Sequence, residues 1–216
     1  MENKAKRVVE YYVMCNKLKD VVRTGWKNWN VERKRVESIA EHIFGVQSLA
    51  IAMWSQYEYD LDFKKVIFML AVHELEEIII GDLTQFDISR EEKMKKGIVA
   101  VDKVLDGMLK KEEIRSLISE FDERKTNEAI FAFQCDKLEC DIQCKLYDEE
   151  SCVDLNNQVN NMSYYDEKVQ DLLKTGKSWS SMWLSFGRDR YNYDSNFSEV
   201  SFYVENNKIN RNISDI

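Results

Sequence analysis

Proline is absent from this chain, and glycine occurs only seven times in 216 residues. The punctuation that turn-rich β structure depends on is therefore nearly missing. No apolar run approaches the roughly 18–20 residues that a membrane span requires, so no membrane partner is expected. The first twenty residues, MENKAKRVVEYYVMCNKLKD, have neither an uninterrupted apolar stretch nor a small-residue cleavage site. A secretory leader is not expected, and a cytoplasmic address is. The five cysteines contain no Cys-x-x-Cys spacing, although Cys135, Cys140 and Cys144 share one segment. They read as reduced, partly buried thiols. An excess of cations is also missing: the net charge is −8, which argues against a nucleic acid polymer as partner.

What is present reads as helix. Hydrophobic residues make up 44% and charged residues 32% of the chain, the balance of a globular protein. Ile39, Ile43, Val46, Ala50, Met53 and Tyr57 recur at the period of one helix face, with Ser38 and Glu41 spaced as a capping box. A second helix is predicted from Asp62 to about Ile80, stopped by Gly81, and a third from about Thr126 to Asp148. Weaker helical patterns occupy roughly 3–20, 89–109, 111–121 and 165–175. The expected fold class is all-α. Residues 1–150 are expected to form the core and residues 151–216 a less regular C-terminal extension packed on it. That extension is rich in asparagine and aromatics, and its closing residues, NKINRNISDI, suggest disorder.

Three of these helices carry chemistry on their apolar sides. His42 follows Ile39 by three residues and precedes Val46 by four. His73 and Glu74 fall on the inward side of the second helix with Leu70, Val66 and Ile67, and Glu77 lies one turn beyond His73. Asp136 shares a stripe with Ala129, Ala132, Phe133, Cys140 and Cys144. A histidine on an apolar face is more often a hydrogen-bonded core residue than a ligand. Several inward carboxylates together are a different matter, because each uncompensated buried ion costs several kcal/mol. The stripes offer no lysine or arginine to neutralise them. One divalent cation would neutralise them together, and two imidazoles with two carboxylates suit Co, Mn, Zn or Fe while leaving positions for water and substrate. A basic cluster, Lys17, Lys19, Arg23, Lys27, Arg33, Lys34 and Arg35, is opposed only by Asp20 and Glu32 and offers a local site for an anionic substrate.

The stretches RTGW at 23–26, ESIAEH at 37–42, VHELEEIIIGDLTQFD at 72–87 and CDKLECDIQCKLYDEE at 135–150, in this order, resemble the HD-domain metal-dependent phosphohydrolases, and within them the 5'-deoxynucleotidase group. The resemblance implies an HD-domain helical bundle in which His42, His73, Glu74 and Asp136 bind one divalent metal. It also implies that Glu77 positions or activates the attacking water, that Arg23 holds the substrate phosphate, and that Trp26 and Asp82 line the sugar side. Glu74 stands where the family motif has aspartate, which moves the carboxylate outward by about a bond length.

The implied activity is hydrolysis of (deoxy)nucleoside 5'-monophosphates to nucleoside and phosphate by a homodimeric enzyme. Three alternatives stay open at this point. One is another reaction of the same superfamily, on a cyclic nucleotide or an alarmone. Another is a non-catalytic metal or nucleotide sensor in which Glu74 has cost turnover. The third is a helical interaction protein with no metal at all.

Overall fold

A computed structural model describes residues 4–209. Among the described residues no strand forms, and Val22 and Ser38 make an isolated antiparallel bridge, so the all-α expectation holds. The helices are α1 (Lys4–Asn16), α2 (Thr24–Asn28), α3 (Ile39–Gln56), α4 (Phe63–Val72), α5 (Glu77–Ile80), α6 (Arg90–Val104), α7 (Lys111–Glu123), α8 (Asn127–Glu149), α9 (Glu167–Lys174), α10 (Trp179–Tyr191) and α11 (Ser195–Asn206). A 3-10 turn, Lys17–Lys19, follows α1.

The residues group into two compact units. The first takes the chain through Thr24 and Glu37–Phe133, and the second takes Gly25–Val36 and Gln134 onward. In the first, α3 pairs with α4, α4 with α7, and α5 with α6. One cluster of its core joins Val72, Leu75, Val101, Val104, Leu105, Ile114 and Ile118, and Tyr11, Met14 and Cys15 of α1 pack against it. Arg7 also ties α1 to α6 by donating to the Val104 carbonyl at 2.6 Å.

Side-chain caps set where these helices begin. The Ser38 hydroxyl accepts from the Glu41 backbone N–H while the Glu41 carboxylate accepts from the Ser38 N–H, so α3 starts on the capping box its sequence predicts. Asp62 caps α4 by accepting from the Lys65 N–H, and Ser89 caps α6 by accepting from the Glu92 N–H.

The second predicted helix does not run unbroken to Ile80. It stops at Val72, residues 73–76 form a turn, and a single turn of helix follows before Gly81. His73 is one cause: its ring Nδ1 lies 2.8 Å from the Leu70 carbonyl, competing with main-chain donors for that oxygen. The backbone then tightens to three-residue spacing, with Leu75 N–H donating to the Val72 carbonyl at 3.2 Å and Glu77 N–H to the Glu74 carbonyl at 3.2 Å. Gly81 ends the segment at φ 72°, where a side chain would be strained.

The second unit is held by aromatic packing. Trp26, Trp29, Tyr147, Trp179, Met182 and Phe186 form its core with Val169 and Cys144. Residues 150–166 form no helix, and α9, α10 and α11 then follow, capped by Asp166, Ser178 and Asp194. Of the closing stretch expected to be disordered, residues 210–216 lie outside the described residues. Just before them, the Ile209 N–H donates to the Glu149 carboxylate at 3.0 and 3.1 Å.

Candidate functional site

The site is assembled in the first unit from four stretches of chain. Residues 21–23 are pinned to the start of α3 by two backbone bonds, Arg23 N–H to the Glu37 carbonyl at 3.0 Å and Ile39 N–H to the Val21 carbonyl at 2.8 Å. That registration sets Arg23 beside the first turn of α3, and His42 stands four residues after Ser38, fully buried. The opposing wall is the turn at 73–76 between α4 and α5. The His42 and His73 rings are 5.8 Å apart between centroids, and Phe121 of α7 lies 5.0 Å from His73.

Glu74 completes this group. Its Oε1 lies 3.8 Å from Nε2 of His42, 3.6 Å from Nε2 of His73 and 3.6 Å from Nη1 of Arg23. The Leu70 carbonyl can only accept, so Nδ1 of His73 carries the proton. Its Nε2 is left with a lone pair turned towards Glu74, which is the tautomer a metal-binding imidazole needs. Ligand atoms of His42, His73 and Glu74 all fall within 4.8 Å of one another. Two imidazole nitrogens and a carboxylate oxygen at this spacing fit a borderline divalent ion.

Charge gives a second test of that fit. Glu74, Glu76, Glu77 and Asp82 gather here against Arg23 and Lys93, so the acids outnumber the fixed cations. Burial, the Glu74 charge and the Asp82 charge push the Glu77 carboxyl up to about 10, against the opposing pull of Lys93 and Arg23. Glu76 is pushed up to about 8, first by burial and then by Glu74. An ion pair alone would lower a carboxyl, so the rise of Glu77 despite its contact with Lys93 shows that burial and like charge dominate. For Lys93, burial acts to lower its pKa and is outweighed by Glu74, Glu77 and Glu76, which raise it. A buried site with surplus negative charge is one that favours a bound cation.

Glu77 lies at the start of α5, 1% exposed. Its Oε1 is 3.2 Å from Nζ of Lys93, and its Oε2 is buried with no hydrogen-bond partner. Asp82, just after Gly81, accepts from the Thr24 N–H at 2.6 Å through Oδ2, and its carbonyl accepts from the Thr24 hydroxyl at 2.7 Å. Arg23 Nε lies 4.0 Å from the same Oδ2. The guanidinium is thus held between Glu74 and Asp82.

Two sequence-predicted residues belong to the second unit. Asp136 is buried on α8, with Oδ2 2.9 Å from Nζ of Lys137. Trp26 is 7% exposed within the aromatic core, edge-on to Tyr147 at 5.3 Å and to Trp179 at 6.2 Å.

Sequence reasoning missed Glu76 and Lys93. Lys93 sits in EEKMKK, which reads as a solvated face. The available clue was position, since Lys93, Gly97, Ala100, Val101 and Val104 form one helical stripe, and its last four residues are buried.

Comparisons with known proteins agree with the sequence motifs. The HD domain family matches residues 15–176. The 5'-deoxynucleotidase HDDC2 of Dictyostelium discoideum is 32% identical over 167 residues, covering 73% of this chain and 86% of that protein. Human 5'-deoxynucleotidase HDDC2 is 28% identical over 149 residues, covering 67% of this chain and 70% of that protein. Among solved structures, a predicted metal-dependent phosphohydrolase from Magnetospirillum magnetotacticum matches with a TM-score of 0.62 at 19% identity, over 94% of this chain and 91% of that one. A conserved hypothetical protein from Pyrococcus furiosus matches at 0.57 and 23% identity, over 85% of this chain and 98% of that one. These two likenesses carry the fold alone.

Proposed function

The chain belongs to the HD-domain family, and we propose that it is a metal-dependent phosphomonoesterase that hydrolyses (deoxy)nucleoside 5'-monophosphates to nucleoside and phosphate. The observation that carries this reading is the contact of Arg23 with Glu74 at 3.6 Å, beside the His42–His73 imidazole pair. A phosphate-binding guanidinium and a metal-binding donor group share one carboxylate. The relatives named above as 5'-deoxynucleotidases support the substrate class. Chemistry that needs two metals would call for more histidines than His42 and His73, which disfavours that version of a cyclic-nucleotide or alarmone reaction.

His42, His73 and Glu74 would hold the ion, with Asp136 assigned as a further ligand on the family motif. When bound, the ion would acidify a water and polarise a phosphoryl oxygen. Co, Mn, Zn and Fe all suit this donor set. Arg23 engages the phosphoryl oxygens through its planar, paired N–H groups and stabilises charge that grows as the bond to the leaving oxygen breaks. Glu77 handles the proton: an ion held beside Glu74 would offset the negative charge that raises the Glu77 carboxyl, leaving it ionised and able to accept. The water oxygen forms a bond to phosphorus, its proton passes to Oε2 of Glu77, and the P–O5' bond breaks. The proton then passes to O5', so one water is consumed and nucleoside and inorganic phosphate leave. Asp82 holds Arg23 and Thr24 in place on the substrate side, and Trp26 is assigned to the sugar on the family motif. A cytoplasmic homodimer completes the reading.

The test is a panel of ribo- and deoxynucleoside 5'-monophosphates incubated with full-length protein and Co²⁺ or Mn²⁺, with phosphate release measured. Release from at least one substrate, abolished by His42→Ala together with loss of bound metal, is the expected result. Metal uptake without release from any member of the panel would refute the enzyme reading and favour a sensor.

A further inference from the structure

Lys93 stands at the head of the buried stripe of α6, in the helix's first turn, where the Ser89 cap fixes the backbone and the Ser89 carbonyl accepts from the Lys93 N–H at 2.9 Å. A cation in a helix's first turn opposes the helix dipole, and ordering a long flexible side chain costs entropy. Its neighbour Lys95 shows the ordinary alternative, a surface pair with Glu91 in which both side chains are more than 70% exposed. Lys93 instead turns inward. Its Nζ lies 3.2 Å from Oε1 of Glu77 and 3.1 Å from the Leu83 carbonyl. Where a local preference is set aside in this way, the reason is usually functional.

The asymmetry of Glu77 supplies that reason. One oxygen is tied to the Lys93 ammonium, while the other is buried and has no hydrogen-bond partner. A carboxylate free to rotate presents either oxygen in any orientation, whereas one anchored through Oε1 presents Oε2 in a fixed direction. The Leu83 carbonyl anchors the anchor, because it engages a second N–H of the ammonium and limits its swing.

We propose that Lys93 is a positioning residue for Glu77: it holds Oε1 so that Oε2 faces the attacking water. This rests on the nucleotidase reading above only in the identity of what Oε2 receives. The pairing itself is independent of turnover and can be tested without it.

The experiment uses full-length Lys93→Met and Lys93→Arg, loaded with Co²⁺ or Mn²⁺, with bound metal quantified and phosphate release followed over a range of deoxynucleoside monophosphate concentrations. Lys93→Met is expected to lower kcat on the order of 100-fold, the scale of a disrupted proton transfer, with KM and metal content unchanged. Lys93→Arg restores much of the loss, because a guanidinium can still hold Oε1. A rise in KM with kcat intact would make Lys93 a substrate contact and overturn the proposal, as would loss of bound metal. Thermal melts of Lys93→Met, Glu77→Gln and the double variant give the readout that needs no activity. A double variant no less stable than Glu77→Gln alone establishes the pair, even where the substrate panel shows no turnover and refutes the nucleotidase reading. Additive losses would overturn the proposal whatever the turnover.

Discussion

Replacing Glu74 by the aspartate of the family motif is expected to weaken metal binding. Two donors sharing one ion at about 2.1 Å stand roughly 3.0–3.4 Å apart. Oε1 of Glu74 lies 3.6 Å from Nε2 of His73 and 3.8 Å from Nε2 of His42, close to that requirement on this backbone. Removing one methylene draws the carboxylate back by about 1.5 Å, which takes it to roughly 5 Å from both imidazoles. The same retraction separates it from Arg23, now 3.6 Å away. Outer groups that merely support metal ligands command 10–100-fold in affinity, about 1.4–2.8 kcal/mol, and a displaced ligand should cost at least as much. Competition of wild type and Glu74→Asp against a chromogenic chelator for Co²⁺ measures this directly. The expected result is a Kd at least tenfold weaker in Glu74→Asp, with phosphate release falling in step at limiting metal. Tighter binding and faster turnover in the variant would refute the reasoning. It would mean that the 73–76 turn relaxes around the shorter side chain and that glutamate is a handicap on this backbone.

Arg23→Met should raise KM for a nucleoside monophosphate by 10-fold or more while leaving metal stoichiometry intact, since removing a charge-assisted contact costs about 1.5–3 kcal/mol; steady-state kinetics beside metal analysis checks it. In the second unit, a Cβ placed on Gly187 would lie 2.3 Å from Oδ2 of Asp141, the oxygen that accepts from the Tyr193 hydroxyl at 2.9 Å. Gly187→Ala should therefore destabilise by about 1–3 kcal/mol, read as a lower urea midpoint at unchanged slope. Burial raises Asp141 to about 7, with the Tyr193 hydrogen bond, Lys137 and Arg188 opposing. A raised carboxyl favours folding in its protonated form, so its contribution is full below the ordinary aspartate value and is lost as pH rises through about 7, by up to about 4 kcal/mol. Asp141→Asn should remove that loss, and unfolding curves at pH 5 and pH 8 would show wild type falling relative to the variant.

The helices that proved most legible are those in which periodicity and capping chemistry agree. For α3, Ser38 and Glu41 announce the first turn and the apolar spacing carries it to Gln56, so both ends follow from local rules. The helices α10 and α11 illustrate the opposite case. Their caps, Ser178 and Asp194, are ordinary residues for the position, but tryptophan, phenylalanine and tyrosine crowd these segments and blur the period. What commits α10 is tertiary packing, with Trp179 and Phe186 in the aromatic core, and no local pattern encodes it.

At the site, sequence alone brought His42, His73, Glu74, Glu77, Arg23 and Asp82 into consideration, but it could not give the turn that brings them to bear. A continuous helix from Asp62 to Ile80 would place His73, Glu74 and Glu77 at fixed 100° steps, with His73 and Glu77 stacked one above the other. The break at 73–76 sends Glu74 towards both imidazoles and Arg23, and leaves Glu77 beneath Lys93. Part of that break comes from His73 itself, whose Nδ1 takes the Leu70 carbonyl. The same bond that fixes the imidazole for a metal also helps bend the chain that delivers its neighbouring ligand. His73→Ala should then disturb more than one donor: the helix can continue through 73–76 and rotate Glu74 away from Arg23. His73→Gln, which keeps a side-chain donor in that region, should preserve more of the turn than the alanine variant does. Far-UV circular dichroism and amide exchange across 70–80 would separate the two. Equal helicity and equal protection in both variants would mean that the turn is imposed by packing of Leu75 and Ile78 against the core, and that His73 merely occupies it.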